Sequence, residues 1–482
     1  MISRAFIKSS FIYTIAGTLP MASAFILLPF YIHYLSTSSY GALSIYLTFS
    51  ALVQVLVTYS FDTSLYIHFH ELKNDKNKLS IFVSSAFIFM LIISVGVGLI
   101  FSVLGNIVFD LVLHDKNISF YPFGIASVGV GIFQSVFKVY SSLLQSRQKP
   151  EIFFWSNLLS FSLIAAFTIA GLLLFPGTLV GPVMGRLLAA LISGSWALIM
   201  IFREFGIHFN FTWLKSSFSF NNYTFIYQLE QWVINNFDRM LMVMLGLPLA
   251  YIGVYDFAIK CLIVIELITN GLHSSFYPKM VSLLVSQKEK VSTPEMNRYY
   301  HGLIAVIMLL VCICIFAFPV AIKLFVSKPE FQESIQYIPY LAVLYFFKAI
   351  RLYFTAPYGI LKYSKPLPFI YLIISVLKIG LMMILIPKFN VFGVIFASFV
   401  GYVVELLLLK YNLRDKFEFR FNVFKIVLAP VLLAVLIMVL EPTLSINYPL
   451  SVHLTYLISC LVMLFWIYQK ELKLIDPIKL FR

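Results

Sequence analysis

The stretch "TFIYQLEQWVINNFDRMLMVMLGL", residues 224–247, is long and apolar enough to cross a membrane, yet it carries a full charge pair near its middle. On a helix, three of its polar side chains fall within about 40° of one another, and two more lie roughly 60–80° to one side. In that order they are Gln228, Asn235 and Arg239, then Gln231 and Asp238. A charge at the centre of a bilayer costs about 2.5–3.5 kcal/mol, so we expect this polar stripe to face a cavity rather than lipid.

The composition of the whole chain is that of an integral membrane protein. Of its 482 residues, 61% are hydrophobic and 12% charged, with a mean hydropathy of +0.93, whereas soluble domains are about 25% charged. The first apolar stretch is longer than a signal-peptide core and reads as a helix of the mature protein. We predict fourteen spans, near 11–35, 40–61, 79–104, 118–144, 152–175, 178–202, 224–247, 251–273, 302–327, 334–360, 366–387, 390–411, 422–440 and 450–468.

The distribution of lysine and arginine predicts the orientation. With the N-terminus in the cytoplasm, 24 of the 35 cations fall in cytoplasmic segments and only four outside, at Lys116, Lys323, Lys328 and Lys388. Both termini are therefore predicted to be cytoplasmic. The net charge of +14 reflects this cytoplasmic bias, and we expect no nucleic-acid partner.

Short sequence matches indicate an internal duplication. "FIY" at 11–13 recurs at 225–227, and "KPEIF" at 149–153 is matched by "KPLPF" at 365–369. Gly181 and Gly393 align at nearly the same offset. These matches predict an N-terminal six-helix lobe (1–205), a C-terminal six-helix lobe (206–411), and two additional helices with a tail (412–482). Since each lobe has an even number of spans, the repeats are parallel. A duplication without a transport role is the alternative.

The remaining embedded charges suggest an anionic ligand. Seven cations lie within predicted spans, at Lys138, Arg186, Arg239, Lys260, Lys348, Arg351 and Lys378. Five belong to the second half, where a positive cavity wall would suit phosphate. Lys348 and Arg351 share a helix face and have no acid nearby in sequence.

A structural role is the alternative for each of these charges. Asp256 and Lys260 are spaced for an intrahelical pair, and such pairs can simply lock helices together. Adjacent residues point about 100° apart, so Asp238 and Arg239 are expected to serve different partners. Glu230, together with Glu266 and Glu405, could be an interhelical anchor or a proton carrier. The stems of three cations could snorkel to a membrane face, namely Lys138, Arg186 and Lys378.

No cofactor or metal is predicted. The four cysteines lie in apolar spans and read as small hydrophobic residues. His68 and His70 are two residues apart and would not share a helix face. The sequence also shows no nucleophile or acid–base constellation, so no enzymatic activity is predicted.

Two ordered stretches resemble polysaccharide repeat-unit (O-antigen type) flippases of the multidrug/oligosaccharidyl-lipid/polysaccharide exporter superfamily. In "NNFDRMLMVMLGLPLAYIGVYDFAIKCLIVIELITNGLHSSFYPKM", residues 235–280, the matching positions are Asp238, Arg239, Leu245, Gly246, Gly253, Tyr255 and Pro278, the last ending the helix. "LSTSSYGALSIYLTFSAL", residues 35–52, is similar to the family's first hairpin, with Tyr40 and Gly41 opening the second helix.

The resemblance implies a V-shaped, alternating-access transporter in a bacterial inner membrane. It would move an undecaprenyl-diphosphate-linked oligosaccharide to the periplasmic leaflet for O-antigen or similar assembly. Its partners would be that substrate, membrane lipids, a polysaccharide polymerase and a chain-length regulator. The two helices after the repeats would help form a groove for the lipid tail. The first helix lacks an acid or internal arginine, so no coupling or phosphate-binding role is assigned there.

The resemblance and the charge pattern together define the candidate residues. Only Arg239 and Asp238 carry over from the signature as substrate-binding residues. Charge and placement add to that set Lys260, Lys348, Arg351, Lys378, Gln228, Gln231 and Asn235. The acids Asp62, Asp256 and Glu266 are candidates for coupling to a cation.

Three other functions compete with this one. A cation-coupled drug exporter would share the fold and would need an embedded first-half carboxylate, for which Asp62 is the nearest match. A lipid II flippase is the nearest relative in function. A membrane polymerase or glycosyltransferase would need a sizeable catalytic loop, whereas the largest predicted loop, 274–301, is short and basic.

Overall fold

The structure is a computed structural model that describes residues 17, 19, 22–72, 74–113, 118–287, 291–361, 363, 365–440 and 450–469. Its α-helices are α1 (Leu28–Tyr34), α2 (Thr37–Thr58), α3 (Phe61–Leu72), α4 (Lys76–Val112), α5 (Ile125–Ser146), α6 (Pro150–Leu174), α7 (Val180–Phe205), α8 (Phe211–Met244), α9 (Leu249–Gln287), α10 (Pro294–Phe325), α11 (Pro329–Gln332), α12 (Ile338–Ile360), α13 (Leu367–Phe389), α14 (Val391–Asn412), α15 (Ala429–Leu440) and α16 (Leu450–Ile467). Short π-helical turns, Phe120–Gly124 and Phe424–Leu428, precede α5 and α15, and a 3₁₀ turn, Glu333–Gln336, precedes α12.

The all-helical membrane fold predicted from the sequence is confirmed. Each of the fourteen predicted spans contains a helix, although the first is described only in its second part. Nine of the described helices are long and apolar enough to cross a membrane by themselves. In the described ranges the only β-pairing is one isolated bridge between Val291 and Glu418. The protein is therefore a multi-pass membrane protein, while the predicted lobe boundaries stay a prediction.

The extent predicted from the sequence for the longest loop is wrong. Residues 274–301 were expected to form a loop after a helix ended by Pro278, but α9 continues through this proline to Gln287, and α10 begins at Pro294. A proline removes one backbone hydrogen bond while the flanking turns keep theirs. Pro319 and Pro357 likewise lie inside helices.

Local capping chemistry explains several helix ends. The Ser36 side chain accepts a hydrogen bond from the Ser39 backbone N–H at the start of α2, and Asp75 does the same for Lys78 at the start of α4. Helix α2 ends where Tyr59 adopts a left-handed conformation, with φ of 43°. This break redirects the chain into α3, which carries Asp62 in its first turn.

The chain divides into two compact units. The first unit comprises Met1–Asp256 and Met382–Asn390, and the second comprises Phe257–Leu381 and Val391–Arg482. In the first unit, α5 packs against α2, α3 and α7, and α8 packs against α2, α4 and α3. Buried aromatic side chains from α3, α4, α5 and α7 form its core, including Phe61, Phe82, Phe87, Tyr140 and Phe205.

In the second unit, α12 packs between α10 and α14. Tyrosine hydroxyls in this unit donate hydrogen bonds to backbone carbonyls of neighbouring segments. Tyr358 donates to the Leu409 carbonyl at 3.0 Å, and Tyr468, just after α16, donates to the Lys425 carbonyl at 2.5 Å. Helix α16 packs on α10 and α15 on α12, so the two C-terminal helices belong to the core of this unit.

Candidate functional site

Asp238 and Arg239, the charge pair in the quoted stretch, belong to a buried network in the first unit. Arg239 Nη1 donates to Asp238 Oδ1 at 2.8 Å, and Arg239 Nε donates to Asp256 Oδ1 at 2.9 Å. The expectation that Asp238 and Arg239 serve different partners is therefore wrong. The flexible arginine stem lets the guanidinium reach Asp238 despite the 100° between their Cα–Cβ directions.

Two tyrosines complete this network. Tyr255 donates to Asp238 Oδ2 at 2.7 Å, and Tyr40 donates to Asp256 Oδ2 at 3.0 Å. Every carboxylate oxygen thus has a partner, and Arg239 is only 4% exposed. A buried charge is tolerated when it is paired and hydrogen-bonded in this way. The geometry supports the interpretation of a structural ion pair, and a substrate contact by Arg239 stays a prediction.

Two glycines allow the helices to approach closely enough to form the network. A Cβ at Gly41 would lie 2.0 Å from the Leu249 carbonyl oxygen, and a Cβ at Gly253 would lie 2.1 Å from the Thr37 carbonyl oxygen. Helices α2 and α9 therefore cross in backbone contact at these positions. Tyr40, beside Gly41, consequently reaches Asp256.

The other three polar residues of the stripe lie in different environments. Gln228 Nε2 donates to Asp62 Oδ1 at 3.1 Å, which brings together two residues singled out from the sequence. Asn235 is exposed and donates to the Gln231 carbonyl oxygen at 2.7 Å. The side-chain nitrogen of Gln231 is buried and has no hydrogen-bond partner among the described residues.

A cavity of about 720 Å³ lies in the first unit. Hydroxyl, amide and aromatic side chains from several helices line it. They include Gln54, Gln134, Gln145, Asn157, Ser141, Ser142, Ser160, Tyr66, Phe137, Phe153 and Phe161. Amides and hydroxyls suit a ligand rich in hydroxyl groups, and the aromatic rings add apolar surface.

Three charged side chains also line this cavity: Asp62, Lys138 and Arg186. Lys138 Nζ lies 3.0 Å from Asp62 Oδ2. Arg186 donates through Nε and Nη2 to the Tyr31 hydroxyl at 3.3 and 3.2 Å. The part of the lining that the structure describes thus carries two cations and one carboxylate.

Lys138 and Arg186 were predicted only as embedded cations whose stems could snorkel, and their place in a cavity was not predicted. A signal was present on α5. Its polar residues recur at helical spacing and therefore share one face, as Gln134, Lys138, Ser141, Ser142 and Gln145.

A second group of charges lies in the second unit, around α12. Lys348 Nζ is 3.3 Å from Glu266 Oε2, and Arg351 Nη1 is 3.7 Å from Glu405 Oε1. Helices α9 and α14 thus supply carboxylate partners that were not evident in the sequence. Lys378, on α13, is buried.

Two of the predicted substrate-binding cations in this group, Lys348 and Arg351, are thus each set against a carboxylate. Lys260, on α9, is half-buried. The side chains of Lys348 and Glu266 remain 24% and 35% exposed, so this pair is more accessible than the Arg239 network. Lys348 also lies 4.5 Å from the centre of the Tyr345 ring.

The fold is shared with membrane transporters of known structure. The lipid II flippase MurJ, in an inward closed conformation, superimposes with a TM-score of 0.73 at 15% identity, over 95% of this chain and 99% of that one. An inward-facing multidrug resistance MATE family transporter of the MOP superfamily gives 0.65 at 13% identity, over 86% and 99%. The eukaryotic MATE transporter AtDTX14 gives 0.56 at 14% identity, over 89% and 100%. No curated protein sequence matches the chain.

These similarities define the class as a multi-pass membrane protein with the fold of the MOP-superfamily transporters. Residues 6–284 also match the polysaccharide biosynthesis protein family over more than half of the chain. The chain belongs to that family. Membership of this family and the fold shared with MOP-superfamily transporters agree with the resemblance found in the sequence.

Proposed function

We propose that this protein is a flippase for a lipid-linked, diphosphate-bearing oligosaccharide, used in assembly of a surface polysaccharide such as O-antigen. The observation that carries the proposal is the first-unit cavity. Its amide, hydroxyl and aromatic lining suits a sugar, and Lys138 with Arg186 suits an anionic group. Membership of the polysaccharide biosynthesis protein family supports this choice of cargo.

The charges of the second unit would supply a further contact for the anionic part of the cargo. Lys348 and Arg351 are each paired with a carboxylate, and both keep exposed side-chain surface. In this proposal the protein acts in a bacterial inner membrane with both termini in the cytoplasm. It would pass its cargo to a polysaccharide polymerase and a chain-length regulator, and it would not itself be an enzyme.

Reconstitution tests the activity directly. The full chain is placed in liposomes with a fluorescent undecaprenyl-diphosphate disaccharide, and the fraction that an impermeant quencher reaches is followed over time. We expect the protein to accelerate exchange between leaflets relative to empty liposomes. Lys138→Gln and Arg186→Gln should slow it, whereas Lys388→Gln, at an exposed position, should not.

Two results would redirect the assignment. Deletion of the gene should leave lipid-linked repeat units on the cytoplasmic face, and complete loss of those units would indicate a biosynthetic enzyme instead. Rescue of cells depleted of their lipid II flippase would identify lipid II as the cargo. Export of a cationic dye without any movement of the disaccharide lipid would identify a drug exporter.

A further inference from the structure

Asp62 and Lys138 form an ion pair inside the first-unit cavity. The Lys138 side chain is 40% exposed, whereas that of Asp62 is 14% exposed. Gln228 Nε2 donates to Asp62 Oδ1, and the Ser142 hydroxyl donates to the Asp62 backbone carbonyl at 2.5 Å. Gln228 on α8 therefore holds the carboxylate, and Ser142 on α5 holds the backbone of the same residue, both without the help of Lys138.

The two partners differ in their freedom to move. Lys138 ends in a compact ammonium on a flexible four-carbon stem that can turn toward the cavity without moving its helix. Asp62 has a short side chain and retains the Gln228 hydrogen bond if the ammonium leaves. Among the described residues that line the cavity, the other charged side chain is Arg186, and Tyr66 is the remaining titratable group.

We propose that Asp62 is an internal counter-anion that competes with the anionic group of the cargo for Lys138. This inference rests on the proposed flippase function. In the empty state Lys138 pairs with Asp62, and in the loaded state it turns to the diphosphate. Asp62 then recovers the lysine and promotes release of the cargo. Asp62 thus lowers the affinity of the protein for its cargo and raises the rate of flipping.

The size of the expected change in anion affinity follows from the exposure of the Asp62–Lys138 pair. Partly exposed ion pairs contribute about 0.2–1 kcal/mol, so removing the competing carboxylate should tighten anion binding by about 1.4- to fivefold. The effect must disappear when Lys138 is absent, because the carboxylate acts only through that side chain. A double-mutant cycle measures this dependence.

The experiment uses the full chain in nanodiscs with farnesyl diphosphate as the anionic probe and farnesol as the uncharged probe. We expect Asp62→Asn to bind farnesyl diphosphate more tightly than wild type, and Lys138→Gln to bind it more weakly. The double variant should bind like Lys138→Gln. Farnesol affinity should be the same for all of them. Asp62→Asn should also flip the disaccharide lipid more slowly at saturating cargo.

Two further variants serve as controls. Asp75→Asn removes the same charge from an exposed pair with Lys78 in the same unit and can still cap α4, so its affinity should equal that of wild type. Lys138→Arg keeps the positive charge and should retain binding. If Lys138→Gln folds poorly, the tightening expected of Asp62→Asn and its absence in Asp75→Asn still test the competition.

Each remaining outcome overturns the inference in a distinguishable way. Equal affinity in wild type and Asp62→Asn, or tightening that persists without Lys138, would refute the competition while leaving the flippase proposal intact. If Asp62→Asn instead abolished a dependence on a proton or sodium gradient at unchanged affinity, Asp62 would be a cation-coupling site. Failure of wild type to bind farnesyl diphosphate would refute both proposals.

Discussion

Arg239 Nε lies 2.9 Å from Asp256 Oδ1, so a guanidinium from the C-terminal part of α8 is bound by a carboxylate from the second turn of α9. The same guanidinium contacts Asp238, and the two tyrosine hydroxyls occupy the outer carboxylate oxygens. One cation and two anions are thereby enclosed with all carboxylate oxygens hydrogen-bonded. The network joins α2, α8 and α9 in the first unit.

Removing the arginine from this network should destabilise the protein severely. Arg239→Gln leaves two buried carboxylates without a counter-ion, and breaking a buried pair costs about 3–5 kcal/mol. Unfolding of the purified protein in a detergent titration measures the loss. Arg414→Gln is the control, because its pair with Asp415 is 57% and 82% exposed and its loss should change stability by less than about 0.5 kcal/mol. Equal stability of the two variants would contradict a structural role for Arg239.

The crossing of α2 and α9 should tolerate no side chain at Gly41. Gly41→Ala places a methyl group against the Leu249 carbonyl oxygen and should force the helices apart, at a cost of about 1–3 kcal/mol. Gly96→Ala is the matched control on α4, because no atom lies within 4 Å of the added Cβ. That variant should be neutral or slightly stabilising, since alanine favours a helix over glycine. Thermal unfolding of both variants checks the difference, and a Gly41→Ala protein as stable as Gly96→Ala would contradict the close crossing.

The sequence predicts the helices better than it predicts the site, for a physical reason. The length of each apolar run and the positions of lysine and arginine are properties of the linear sequence, so the spans could be placed from the sequence alone. The partner of Lys348 is 82 residues away, and the pair depends on how α9 packs against α12. Hydrophobic periodicity carries no information about which residues of different helices lie close together. Similarly, the cavity requires α3 and α5 to bring Asp62 and Lys138 together.

One part of the site could have been predicted. The polar face of α5 follows the helical period as clearly as the stripe of α8 does, although α5 lacks an adjacent charge pair like that of α8. By contrast, the closure of the Arg239 network by Tyr40 was not predictable. Tyr40 was singled out only as the opening of a helix, and its hydroxyl reaches Asp256 because two glycines permit the crossing.

The second-unit cations should contribute to transport without being essential to the fold. Lys348→Gln removes a partly exposed cation, and Arg351→Lys removes a guanidinium but keeps a cation beside the buried Glu405. We therefore expect slower flipping of the disaccharide lipid with normal expression and size-exclusion behaviour. Lys388→Gln, at an exposed position of α13, provides the control. If both test variants flip the lipid at the wild-type rate, the second unit does not bind the anionic cargo.

The first-unit cavity should be accessible to water-soluble reagents and should be protected by its ligand. All four native cysteines are buried, so the wild-type protein should react only slowly with a charged methanethiosulfonate reagent, and no cysteine-free background is needed. Gln134→Cys places a thiol on the cavity wall and should be modified readily. Ser94→Cys, at a buried position of α4, should remain as unreactive as wild type. Farnesyl diphosphate should slow modification of Gln134→Cys, whereas farnesol should not, because only the diphosphate is attracted by Lys138 and Arg186. Protection by both compounds alike would indicate that the cavity accepts the prenyl chain and not the charged group.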